Sequence, residues 1–384
     1  MKICFINPSV GTIAGGSEMV VHQFASHLSK KHEVTVLTGR SRSKPMKKEL
    51  SEAPYEVLTV PFWPRFTQMN SFASKFIRRL THYKTESFSF YYNVLIRPKI
   101  KQKIRDMDVI STHYWLDSRL FSNLGLKLGV PSIFHILGGP YPKEFFEADK
   151  STFYVAVSQN TQSLINNTHH MNITDVVTPG IPSHLFTEMK KQKAQAKDEQ
   201  QSLLFVGRLQ ESKGVFELIE MFKRLINRHP KLRLTIVGEG DILERLRETV
   251  AKSHLQSKVI FTGSLPHKDV FKYYYSSTIF VFPSKMEVFP LVSLEAMACG
   301  LPVVASDIPA LKESTGNSAI LLLPDDVDAW VENINTLLSN EKLRNEMSLK
   351  GREWAKMFAW EKKAEEYEKC LVKAKDMFDK NSNR

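Results

Sequence analysis

Three clusters in this 384-residue chain have residue types and spacings suited to chemistry. The sharpest is Glu287-Val288-Phe289-Pro290-Leu291-Val292-Ser293-Leu294-Glu295, running on through Ala-Met-Ala-Cys to Gly300, with Pro302 just beyond. Gly300 and Pro302 suit a helix C-terminus, so a helix is expected from about Leu291 to Gly300. Glu287 then lies on the preceding loop and Glu295 in the first turns of the helix, both facing one side of a cleft. The amides of Leu291 and Val292 would stand at the helix N-terminus, where they could bind phosphate. Carboxylates beside a phosphate site suit hydroxyls, so a sugar and a ribose are the natural partners. A dipole or capping role accounts for one Glu and leaves the other.

The second cluster is Gly207-Arg208-Leu209-Gln210-Glu211-Ser212-Lys213-Gly214, at a strand-to-helix turn. Cations are unfavourable beside a helix N-terminus unless an anion joins them. Arg208 as a bidentate fork and Lys213 as a point charge would together clamp a pyrophosphate. The third, Gly11-Thr12-Ile13-Ala14-Gly15-Gly16-Ser17, meets neither the dinucleotide nor the P-loop fingerprint. Glycines before a helix still let backbone approach a ligand, while Ser17 equally suits an N-cap. Asp326-Val327-Asp328 reads as an N-cap cluster rather than a metal site, and no metal is expected.

These clusters need elements to hold them. Short β-branched runs alternate with helical patterns along the chain. Strands are expected at 3–7, 34–38, 56–60, 109–113, 132–137, 154–158 and 176–178, with helices such as 17–31 and 116–128 between them. The pattern stops near residue 187 and resumes with strands at 203–206, 232–237, 259–262, 279–282, 302–305 and 319–323. Helices such as 215–228 and 242–252 lie among these, and 341–378 reads as a charged helical tail. Continuous apolar strands separated by helices imply parallel sheets covered on both faces. Right-handed crossovers make each half Rossmann-like and doubly wound, with its ligand crevice at the strands' carboxyl ends. The expected division is 1–187, a polar linker at 188–201, a second domain at 202–355 and a tail at 356–384.

Composition narrows the class. At ~100–200 residues per domain, this length predicts about two domains. Hydrophobic residues make up 42% and charged residues 24%, which excludes wholesale disorder. No apolar run is long enough to cross a membrane, and the N-terminus reads as a strand rather than a signal peptide. Cys4, Cys299 and Cys370 are odd in number and far apart, which argues for a reducing, cytoplasmic compartment. The formal charge is +12, and 40–105 holds fifteen Lys and Arg against four Glu and no Asp. That stretch is also rich in Phe, Tyr and Trp. It could dock on an anionic membrane or be a solvated basic insertion, with nucleic acid the weakest partner.

Gly207-Arg208-Leu209-x3-Lys213-Gly214, followed by Glu287-x7-Glu295 and Ala-Met-Ala-Cys-Gly-Leu-Pro-Val-Val-Ala-Ser, resembles the signature of glycosyltransferase family 4. Gly15-Gly16-Ser17-Glu18 and Thr178-Pro179-Gly180-Ile181-Pro182 are similar to family patterns too. The resemblance implies a GT-B fold, metal-independent and without cofactor, and transfer of a sugar from a nucleoside-diphosphate donor to an acceptor hydroxyl with retention. UDP is favoured as the donor nucleotide, with GDP close behind. A glycan or lipid-linked acceptor, in envelope or polysaccharide synthesis, is expected. Arg208 and Lys213 would neutralise the diphosphate, Glu287 would hold the sugar hydroxyls and Glu295 the ribose. Leu291 and Val292 would contribute backbone contacts. Gly238 would mark a cleft-facing turn, Gly263, Ser264 and Leu265 would lie near the base, and Gly16 near the diphosphate or acceptor. The tail helix would cross back to the first domain, with Trp354, Phe358 and Trp360 as anchors. Closure about the linker would complete the site.

The pattern departs from the family where a His is common and this chain has Leu137. His135, two residues earlier on the same strand side, and His113 are the candidate imidazoles. The alternatives are a GT-B sugar-nucleotide epimerase, or an inactive sugar-nucleotide-binding protein.

Overall fold

A computed structural model describes residues 1–10, 16–40, 48–61, 90–113, 115–138, 146, 152–187 and 201–382. The chain divides into two compact units, Met1–Thr178 with Trp360–Arg384, and Pro179–Ala359. Residues 188–200, all but the last of the 188–201 stretch read above as linker, fall in the span of the second unit and outside the described residues. Residues 41–47 and 62–89, about half of the basic aromatic stretch, also lie outside the described residues.

The first unit contains strands β1 Lys2–Ile6, β2 Glu33–Arg40, β3 Glu56–Pro61, β4 Val109–Thr112, β5 Ser132–Ile136, β6 Thr152–Ala156 and β7 Asp175–Val176. Their order is β3-β2-β1-β4-β5-β6-β7, with every pairing parallel. The second contains β8 Ser202–Val206, β9 Arg233–Val237, β10 Val259–Gly263, β11 Ile279–Phe282, β12 Val303–Ser306 and β13 Ile320–Leu322. Its order is β10-β9-β8-β11-β12-β13, again all parallel. Both are doubly wound sheets. In the second, the winding reverses between neighbours β8 and β11, and such switch points are where open α/β sheets bind ligands. The sequence predicts why these strands are central: β11 is Ile-Phe-Val-Phe and buried throughout, as a strand covered on both faces must be.

The tail is two helices rather than one. Glu341–Ala355 ends in a short 3-10 turn, Ala359 is extended, and Trp360–Ser382 follows. The break has a local cause. The Phe358 carbonyl accepts the Ile181 amide at 2.7 Å and Ala359 bridges Ile181, so that carbonyl is diverted from a helical ladder. This divides the three expected anchors. Trp360 meets Phe24 edge-on at 5.4 Å in the first unit, where Tyr367 also stacks on Phe24 at 4.6 Å. Trp354 and Phe358 belong instead to the second unit. The Trp354 indole donates to the Ser314 carbonyl at 2.8 Å, and Phe358 lies against Phe289.

Among the described residues no helix is long and apolar enough to cross a membrane.

Candidate functional site

The turns after β8 and β11 form one backbone assembly. After β8 the chain makes a 3-10 turn, Glu211–Lys213, and enters the Val215–Leu225 helix through Gly214 at φ 66°. A Cβ on Gly214 would lie 2.1 Å from the Pro283 carbonyl oxygen, so only glycine admits this approach. The Lys285 amide donates to the Ser212 carbonyl at 2.7 Å across the same seam. The seam brings Lys213, from one turn, onto Glu287, from the other, with Nζ 2.5 Å from Oε1. Ser284, fully buried, has its Oγ 2.8 Å from the same oxygen. Arg208 stands exposed on the β8 turn and has no carboxylate partner among the described residues.

The turn after β9 closes against these. Gly238, at φ 138°, passes the Gly207 carbonyl so closely that a Cβ there would lie 1.9 Å from it. The Gly238 amide donates to the Gly263 carbonyl at 3.0 Å. After Gly263 come Ser264, exposed, and Leu265, partly buried against the core.

The helix Leu291–Ala298 follows the Glu287 loop, with Cys299 as C-cap and Gly300 at φ 79° beyond, the stop that the sequence predicts. Its N-cap, Pro290, offers no side-chain acceptor, and Ser293 Oγ donates back to the Pro290 carbonyl at 2.8 Å. The Leu291 and Val292 amides therefore stand at an uncapped helix start, the positive end of the dipole. Glu295 sits in the second turn and is 5% exposed. Both its oxygens are engaged: His267 Nε2 lies 2.7 Å from Oε1, and the Tyr274 hydroxyl donates to Oε2 at 3.1 Å. Burial pulls the His267 pKa down, but the hydrogen bond and charge of Glu295 outweigh it and leave the value raised. Burial, aided by the same carboxylate, pushes the Tyr274 hydroxyl far up.

Ser284, His267 and Tyr274 were not singled out by sequence reasoning. A signal exists for two of them. His267 opens the helix after β10 and Tyr274 lies two turns on, so their seven-residue spacing puts both on one helix face.

In the first unit the expectations fare differently. Gly16 opens the helix Gly16–Leu28, and a Cβ there would meet nothing within 4 Å. Ser17 is inside that helix with its hydroxyl 2.9 Å from Glu18, not at the N-cap position. Residues 11–15 lie outside the described residues. His135 does not present an imidazole to a ligand. It is fully buried, with Nε2 2.8 Å from the Val177 carbonyl and its ring against Tyr367, Phe24 and His113. Burial brings its pKa down to about 4. The period-two argument placed it on the right face of β5, but the Trp360–Ser382 helix covers that face. His113 is buried as well, 3.0 Å from Ser111 Oγ, which in turn meets the Tyr367 hydroxyl at 2.8 Å. Leu137 packs partly buried against the same core. Asp326 accepts the Ala329 amide at 3.0 Å, an N-cap, as its sequence context predicts.

Residues 186–354 match the family of glycosyl transferases group 1, and 14–183 match Glycosyltransferase Family 4. The sulfoquinovosyl transferase of Arabidopsis thaliana is 30% identical over 178 residues, 45% of this chain but only 33% of that protein. The glycosyltransferase of Rickettsia africae superposes with a TM-score of 0.76 at 19% identity, covering 97% of this chain and 98% of that one. Anabaena HepE, in complex with UDP-glucose, superposes with a TM-score of 0.71 at 17% identity over 100% and 99%. At those identities the structural likeness speaks for the fold alone, and the fold is GT-B. Matched in both halves by the two family descriptions, the chain belongs to the family 4, group 1 glycosyltransferases.

Proposed function

We propose that the protein transfers a sugar from a nucleoside-diphosphate donor to an acceptor hydroxyl, with retention of anomeric configuration. The observation that carries this reading is the seam between the β8 and β11 turns. It sets Lys213 on Glu287, on the strand pair where the exposed Arg208 and the uncapped amides of Leu291 and Val292 also arise. Two cations and a helix N-terminus suit a diphosphate, and a carboxylate beside them suits the hydroxyls of the attached sugar. In the reaction, the bond from the anomeric carbon to the phosphate oxygen breaks while the bond to the acceptor oxygen forms on the same face. The acceptor proton passes to the departing phosphate. Arg208 and Lys213 stabilise the charge that grows on the leaving group, so no metal is required. Glu287 orients the sugar, and Ser284 and Lys213 hold Glu287.

UDP is the nucleotide we favour, because HepE, a neighbour in fold, is complexed with UDP-glucose. The acceptor we favour is a glycan or lipid-linked glycan met at an anionic membrane surface. Exposed Tyr92, Ile96, Lys99 and Arg105, on and beside the Pro98–Arg105 helix, support that orientation. Binding to anionic vesicles that fades with added salt is its check; indifference to such vesicles at low salt would remove it.

Calorimetry tests the central reading, with UDP, GDP and their sugar conjugates against the wild type, Arg208→Ala and Glu287→Ala. One nucleotide should bind. Arg208→Ala should weaken it about tenfold or more, the order of a lost charge-assisted hydrogen bond. Glu287→Ala should spare the nucleotide and remove the increment due to the sugar. Absence of binding to every ligand would end the proposal.

A further inference from the structure

Glu295 is tied by both oxygens to one neighbouring helix, His267–Ser276. Tyr274 is fully buried, and its long hydrogen bond of 3.1 Å comes from the core side. His267 differs. Its contact of 2.7 Å is the shorter, and 38% of its side chain remains exposed. Its ring is braced edge-on against Phe271 at 4.8 Å, one turn along the same helix. It also stands one residue, Pro266, beyond Gly263, Ser264 and Leu265, the turn that the family resemblance places near the base. One imidazole thus links that turn to the carboxylate proposed for the ribose.

We infer that His267 is a positioning residue, which fixes the Glu295 carboxylate so that its remaining lone pairs accept the ribose hydroxyls of the donor nucleotide. This rests on the reading that Glu295 faces the ribose. A carboxylate has about four acceptor sites. His267 and Tyr274 each take one, one on either oxygen, and the planar group can no longer rotate. The remaining sites then have fixed directions, which is what recognition of a vicinal diol requires. His267 also supplies charge. The Glu295 carboxylate holds its imidazole in the protonated form to higher pH than usual, and burial with the same carboxylate keeps the Tyr274 hydroxyl protonated. His184 meets Phe271 edge-on, at 6.0 Å between rings. A protonated His267 offsets the charge of Glu295, so the pair repels a diphosphate less than it does once His267 has lost its proton.

The test measures discrimination rather than affinity alone. Dissociation constants are determined for UDP and GDP and for their 2′,3′-dideoxy counterparts, with wild type, Glu295→Gln, His267→Leu and His267→Gln. Wild type should prefer the ribonucleotide by about tenfold or more, the order expected when a charged acceptor loses its donors. His267→Leu should bring the ratio down to about two or less while binding the dideoxy nucleotide as wild type does. His267→Gln, whose amide N–H reaches about where Nε2 lies, should restore most of the ratio. It also serves if the leucine variant does not fold. Ribonucleotide affinity of the wild type should fall as pH rises through the His267 pKa, and this dependence should vanish in His267→Gln. Wild-type discrimination lost in Glu295→Gln but intact in both His267 variants would overturn this inference alone. Equal weakening of ribo- and dideoxy ligands in His267→Leu would also overturn it, as a general structural effect. Wild type showing no discrimination would refute the placement of Glu295 on the ribose, and the inference with it.

Discussion

Lys213 and Glu287 rest on one another at 2.5 Å, so each is held near its place of work by the other. A diphosphate would compete with one carboxylate for the ammonium, and Ser284 would keep Glu287 aligned while Lys213 turns. Elsewhere one buried residue contributes a response to pH, beside that of His113, whose burial also pulls its pKa down. His135 is buried and neutral, with a pKa of about 4 against an ordinary 6.5. The unfolded chain therefore takes up this proton first as pH falls. Stability is undiminished above about pH 6.5, declines below it and levels off near pH 4, a loss of about 3 kcal/mol for this group. His135→Gln, which keeps a donor for the Val177 carbonyl but does not titrate, should flatten that part of the curve. Thermal midpoints measured from pH 7 to pH 4 would decide; parallel curves for the two proteins would refute the assignment.

The elements that matter most are the turns at the carboxyl ends of β8, β9 and β11. Gly214 lies where the first meets the third, in a left-handed conformation with the Pro283 carbonyl at its back. Gly214→Ala should cost about 3 kcal/mol, from strain and the displaced seam together. Urea unfolding would measure it, and a cost under about 1 kcal/mol would show the seam to be yielding. Much of this was legible beforehand. Apolar runs at 203–206 and 279–282 made central strands, Gly300 marked the end of its helix, and the Glu287 and Glu295 spacing put one carboxylate on a loop and the other on a helix. Contacts between distant turns were less legible. Ser284 was one polar residue among many until the backbone brought Ser212, Lys213 and Glu287 around it. His135 failed for a related reason: strand period fixes a face, but only the fold shows that the Trp360–Ser382 helix lies across that face.

At the scale of the whole molecule, the first unit is assembled from two separated pieces of chain, Met1–Thr178 and Trp360–Arg384, with Pro179–Ala359 forming the second. The returning helix is integral to the first unit's core. Trp360, Tyr367, Leu371 and Ala374 are all buried among residues of β1, β2 and the Gly16–Leu28 helix. Trp360→Ala should destabilise by about 3–5 kcal/mol, a large cavity against Phe24. That loss should fall on the first unit, so hydrogen exchange should accelerate in β1, β2 and β5 while β8 and β11 stay protected. Acceleration spread evenly over both units would argue that they unfold together. The split also orders events on the ribosome. The second unit is contiguous and can complete its fold as soon as it emerges, whereas the first, though begun earlier, must wait for a helix encoded a whole domain later. At about 5–20 residues per second that wait lasts roughly ten to forty seconds. During it the Phe24 surface is uncovered and open to chaperones, and a message broken in that interval yields a protein whose second unit is whole and whose first is not.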